Sequence, residues 1–191
     1  MAFPAKKDSF TFSDFLTWDT DKRIEMIHGE IFMMAAPGTA HQLISGEIFR
    51  QLANFLDGRN CRVIAAPFDV RLFEKDGDSP KDVDTVVEPD ISVICDRSRL
   101  DTYGYRGAPE LIVEVLSPST QRHDQLVKLR LYQRAGVKEY WIADPENKTV
   151  RVMLQDGNGT LRMHEACQRE DVAKVTVLAG CFIELNKVFS E

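Results

Sequence analysis

The sequence predicts a mixed α/β domain built around one sheet, and three observations predict it. From His41 to Leu56 the apolar positions Leu43, Ile44, Ile48, Leu52, Phe55 and Leu56 recur at helical spacing. Leu111-Ile112-Val113-Glu114-Val115-Leu116 is a short, almost wholly apolar run, the pattern of a central buried strand. A second helical stretch then leads into Glu139-Tyr140-Trp141-Ile142-Ala143-Asp144, another strand. No linker or repeat divides the chain, so residues 1–191 are expected to form a single domain, with an arm of about residues 1–30 packed on it.

Each element follows from local signals. Thr11 to Leu16 offers Ser13 as the cap of a short helix, and Ile24 to Ile31 reads as strand, turn, strand. Gly58 ends the first long helix. Arg62 to Ala66 and Phe68 to Phe73 read as one extended region bent at Pro67. Glu74 to Asp84 is a charged loop, and Val86 to Cys95 is a strand interrupted by Pro89. Ser119 or Thr120 can cap a helix running to about Ala135, where Gly136 stops it. From Lys148 onward short strands alternate with polar turns such as Gln155-Asp156-Gly157-Asn158-Gly159. Tyr140, Trp141 and Phe182 read as core residues.

Composition excludes several classes. With 43% hydrophobic and 28% charged residues the chain is neither disordered nor fibrous. No apolar run approaches the ~20 residues that span a bilayer, and MAFPAKKDSF lacks an apolar signal core, so a cytoplasmic protein that does not enter a membrane is expected. Cys61, Cys95, Cys167 and Cys181 form no CxxC pair, which argues against a zinc knuckle or a disulfide framework. A net charge of -6 argues against a passive nucleic-acid coat, whose affinity comes from many cationic contacts to phosphate. An enzyme acting on nucleic acid remains compatible, because it needs local carboxylates with basic groups beside them.

Two carboxylates stand out. Glu114 shares a strand face with Ile112 and Leu116, and a buried carboxylate must meet a cation, a metal or hydrogen-bond donors. Asp90 follows Pro89 at the bend before Ile91, and adjacent strands about 4.8 Å apart would let Asp90 and Glu114 share one divalent ion. Asp124 and Lys128 lie four apart on the following helix, continued by Leu131, Tyr132 and Ala135. The stretch Arg122 to Lys138 is the most basic part of the chain, with Arg122, Lys128, Arg130, Arg134 and Lys138. Each residue also has an ordinary reading. Asp124 with Lys128 reads equally as a solvated helix pair worth about 0.2–0.5 kcal/mol. Asp90 reads as a turn residue, Glu114 as half of a structural ion pair, and His41 as a cap or surface residue. Glu47, on the first helix, reads as solvated or as facing a cleft.

Glu88-Pro89-Asp90-Ile91-Ser92-Val93-Ile94, Pro109 to Thr120 (PELIVEVLSPST), Asp124, Lys128, Tyr132 and Gly136 to Pro145 (GVKEYWIADP) together resemble the Uma-two family, with His41-Gln42 at the first helix adding to the likeness. These are restriction-endonuclease-like proteins of the PD-(D/E)XK nuclease superfamily. The resemblance implies a restriction-endonuclease-like fold, a central mixed sheet flanked by helices. It matches Asp90 to the acid of the PD element and Glu114 to the next acid. The superfamily often places its lysine two residues after that acid, where this chain has Leu116, and Lys128 is the substitute from the next helix.

The expected function is therefore a metal-dependent DNA endonuclease. Asp90, Glu114 and the backbone carbonyl of Val115 would bind Mg²⁺ or Mn²⁺. Lys128 would orient or help deprotonate the attacking water, Glu47 would serve as a helix acid of the same site, and Arg122, Arg130 and Arg134 would contact the nucleic-acid backbone. A homodimer is expected, since cutting two strands suits a two-fold assembly. Leu116 and the acidic charge favour an alternative, a catalytically inactive nucleic-acid-binding or regulatory module on the same fold. A third reading is a structural oligomeric protein in which Glu114 pairs internally with Lys128.

Overall fold

The protein is described here by a computed structural model covering residues 7–18, 23–117 and 123–190, with the backbone alone for 123–125. The elements of the first half are α1 (Phe12–Phe15), β1 (Ile24–Ile27), β2 (Glu30–Met33), α2 (Thr39–Leu56), β3 (Arg62–Ala65), β4 (Val70–Arg71), β5 (Ile91–Ile94), β6 (Leu100–Asp101) and β7 (Gly104–Arg106). The second half adds β8 (Leu111–Val115), α3 (His123–Ala135), β9 (Glu139–Asp144), β10 (Thr149–Gln155), β11 (Leu161–Gln168), β12 (Val172–Val175), β13 (Cys181–Glu184) and α4 (Leu185–Val188).

Six strands form the main sheet in the order β11-β10-β9-β8-β5-β3. β8 and β9 run parallel, joined across one face by α3, while the other pairs are antiparallel. This is the central mixed sheet flanked by helices that the sequence implies. The apolar run of β8 is buried at every position, as a strand covered on both faces must be. Its alternating side chains divide the interior. Leu111, Val113 and Val115 join Trp141 and the α2 residues Ile44, Ile48 and Leu52 in one core. Ile112 and Leu116 join Leu131, Tyr132 and Tyr140 in the other, beneath α3. Burying each such side chain is worth roughly 1.5–3 kcal/mol. At the end of α3, Gly136 adopts φ +89°, and the N–H of Val137 returns to the carbonyl of Tyr132.

Several expectations are corrected. The first short helix is preceded by Thr11, not Ser13, and the Asp14 carboxylate accepts from the Thr11 N–H and hydroxyl. The extended stretch after Pro67 does not continue β3. The chain turns at a cis Ala66-Pro67 bond, and β4 joins a separate three-stranded sheet in the order β4-β7-β6. Leu43 and Phe182 are exposed, although Leu43 belongs to the helical apolar pattern and Phe182 read as core. Cys61 and Cys95 form a disulfide, because the antiparallel register Arg62↔Ile94 brings together the residue just before β3 and the residue just after β5. Sequence spacing carries no trace of that pairing. The proposed caps Ser119 and Thr120, and Arg122, lie outside the described residues, as does the side chain of Asp124.

Candidate active site

Strand register brings the two acids together. β5 pairs antiparallel with β8, and the last pair of the ladder is Ile91 opposite Val113, so Asp90 and Glu114 are the next residues of the two chains. Past the last β5 partner of β8, Asp90 substitutes for the missing strand, and its Oδ2 accepts the Val115 N–H at 2.8 Å. The Val115 carbonyl leaves the strand on that same side, since N–H and C=O of one strand residue point together.

Glu114 Oε1 accepts from Lys128 Nζ at 2.9 Å and from the Tyr132 hydroxyl at 2.6 Å. Lys128 and Tyr132 are one helical turn apart on α3, so a single face of that helix supplies both donors. β1 supplies a further partner. Glu25, inside the apolar strand β1, accepts from Lys128 Nζ at 3.0 Å with Oε1, which also accepts the Glu88 N–H at 3.0 Å. Glu88 in turn accepts from Arg23 Nε at 2.8 Å. Lys128 therefore links β8, α3 and the β1 strand in one buried ionic network.

Burial shifts these groups. Loss of water pushes the Glu114 carboxyl up to about 7; the Lys128 ammonium opposes that rise, and the neighbouring Asp90 and Glu25 carboxylates add to it. For Lys128 burial works against the charge, but the two glutamates outweigh it and hold the amine protonated far beyond neutral pH. Burial and the same carboxylates keep Tyr132 a neutral phenol that can only donate to Glu114.

His41, at the start of α2, is neither a cap nor a surface residue. Its Nε2 lies 3.0 Å from Asp90 Oδ2, with the side chain 13% exposed. Burial alone would lower its pKa, and the bond to Asp90 reverses this and raises it. Asp90 and His41 line a cleft of about 250 Å³ together with Arg23, Gln42, Ser45 and Phe49. Glu47 is not brought to this place. It lies two residues beyond the cleft-lining Ser45, roughly 200° around the helix, and it binds Arg50 and Gln51 instead. Arg130 and Arg134 are exposed on α3, and Arg134 contacts His28 and the Phe73 ring.

Among the described residues no three His, Cys, Asp or Glu side chains form a cage for a metal. The donor set fits an open site of another kind. Asp90 and Glu114 each use one carboxylate oxygen in the bonds above, and the second oxygen of each accepts no bond from the described residues. One or two carboxylates, with water completing the shell, is how Mg²⁺ is commonly held.

Sequence reasoning passed over Glu25, Arg23 and the role of the Tyr132 hydroxyl, and it read His41 as a cap or surface residue. Glu25 carried the same signal as Glu114, a charge inside an apolar strand, Ile24-Glu25-Met26-Ile27. Arg23 carried none.

Known proteins resemble this chain over nearly its full length. The Uma2 family, described as "Putative restriction endonuclease", matches residues 12–186. The "Uncharacterized protein slr1290" of Synechocystis sp. is 30% identical over 167 residues, covering 85% of this chain and 84% of that protein. The crystal structure of "a putative nuclease belonging to DUF820" from Anabaena variabilis superposes with a TM-score of 0.74 at 21% identity, covering 95% of this chain and 98% of its own. That likeness extends to the whole fold, which is restriction-endonuclease-like. With the family match reaching from α1 to α4, the chain belongs to the Uma2 family.

Proposed function

We propose that this protein is a metal-dependent endonuclease that hydrolyses phosphodiester bonds of DNA. The observation that carries the reading is the grouping of Lys128 on Glu114, beside the end of the β5–β8 ladder where Asp90 accepts the Val115 N–H. Asp90, Glu114 and the Val115 carbonyl would hold Mg²⁺ or Mn²⁺, which when bound supplies an activated water and offsets charge on the phosphate. Lys128 stays an ammonium, so it donates hydrogen bonds and positive charge and does not take the proton of the water. Tyr132 fixes the rotamer of Glu114 through its short bond. Arg130 and Arg134, exposed on α3, are suited to backbone phosphates. A homodimer belongs to the same reading, since a dyad presents two sites to two antiparallel strands.

A second reading, an inactive nucleic-acid-binding module, is favoured by Leu116 at the usual lysine position. Nicking of supercoiled plasmid separates the two. The nuclease reading expects relaxation with Mg²⁺ or Mn²⁺, none with EDTA, and none by Glu114→Ala. Equal cutting by wild type and Glu114→Ala, or no cutting alongside salt-sensitive DNA binding, removes it.

A further inference from the structure

The cleft beside Asp90 contains donors that the chemistry above does not use. Arg23 commits Nε to Glu88 at 2.8 Å, while its Nη2 is buried without a partner. His41 commits Nε2 to Asp90, and its Nδ1, which donates only when the imidazole is protonated, is likewise buried without a partner. Both residues line the one cleft of about 250 Å³, where Gln42 adds an amide and Ser45 a hydroxyl. A buried donor left unpaired is costly, the more so when it is charged, so a folded protein rarely keeps one without use. The ion pair with Glu88 fixes the guanidinium plane, and Arg23 is one of the residues that line the cleft. A fixed guanidinium edge matches the oxygens of a phosphate group. The one acid of the cleft, Asp90, has its Oδ2 covered by the Val115 N–H and by His41, so its charge is partly offset on the side nearest these donors.

We propose that this cleft binds a phosphate of the substrate strand through Arg23 Nη2, and so sets the position of that strand across Asp90 and Glu114. The identity of the strand rests on the nuclease reading; the anion site rests on the unpaired donors alone.

The test uses the full chain, free of metal in EDTA, titrated with inorganic phosphate at constant ionic strength. The Arg23 Nε–H and His41 ring resonances report binding. Arg23→Gln is combined with Glu88→Gln, so that no buried carboxylate is stranded, and Arg23→Lys is a second variant that keeps the charge without the fork. The expected result is saturable binding in the wild type, on the order of tenfold to a hundredfold weaker in the double variant, and displacement of phosphate by a short DNA oligonucleotide. Absence of saturable binding, or equal binding by whichever variant circular dichroism shows to be folded, overturns the site. Binding of phosphate that the oligonucleotide does not displace overturns the strand assignment. If phosphate binds as expected and plasmid is never cut, the nuclease reading falls and the anion site stands. If plasmid is cut while phosphate ignores Arg23, the reverse holds.

Discussion

Lys128 Nζ lies 2.9 Å from Glu114 Oε1, joining a helix to the strand that precedes it by 14 residues, and the same nitrogen reaches Glu25 at 3.0 Å. One ammonium thus sits between two buried carboxylates, and that position decides how the site responds to change.

Lys128→Met leaves Glu114 and Glu25 without their cation. Breaking a buried pair from one side costs about 3–5 kcal/mol, so the midpoint of urea unfolding should drop sharply. Lys128→Met combined with Glu114→Gln should recover part of that loss, because one stranded charge is gone. A double variant as unstable as the sum of the singles contradicts the network.

The raised pKa of Glu114 gives stability a definite slope. Its ordinary value is 4.5 and its folded value about 7. Between these the folded chain holds a proton that the unfolded chain has released, so the contribution of Glu114 to stability is full below 4.5 and is lost as pH rises through about 7. Glu114→Gln should flatten this part of the profile in denaturant titrations across the window.

Metal binding should displace the same proton. Calorimetry of Mn²⁺ binding in buffers of different ionisation enthalpy is expected to show proton release below the folded pKa of about 7, and little well above it. Tyr132→Phe removes a donor that favours the carboxylate, so the midpoint of proton release should move to higher pH. A midpoint that stays in place separates Glu114 from the metal.

Gly104 holds φ +119°, and a Cβ there would run into the Asp69 carbonyl oxygen. Gly104→Ala should destabilise the chain by roughly 1–3 kcal/mol or more, read as a lowered thermal midpoint. Gly157→Ala, with no atom within 4 Å of the new Cβ, should change stability by no more than about 0.5 kcal/mol.

The central elements were legible because periodicity carries them. The β8 run, the apolar face of α2 and the Gly136 stop all report short-range physics. Glu114 was legible for the same reason, as a charge in an apolar strand. That signal does not by itself mean chemistry: Glu139 is fully buried too, and it holds the Trp141 Nε1–H and the Val177 N–H as a structural acceptor. Arg23, His41 and the Cys61–Cys95 bond were illegible because each depends on which distant segments the sheet order brings together. Glu47, read as solvated or as facing a cleft, is not among the cleft-lining residues, because Ser45 and His41 occupy that face of the helix.

Anomalous diffraction from Mn²⁺-soaked crystals tests most directly whether Asp90 and Glu114 grip one ion. The expected result is a single strong peak in contact with both carboxylates and the Val115 carbonyl in the wild type, absent in Glu114→Gln. A wild-type peak elsewhere, or none at these groups at saturating Mn²⁺, would contradict the account.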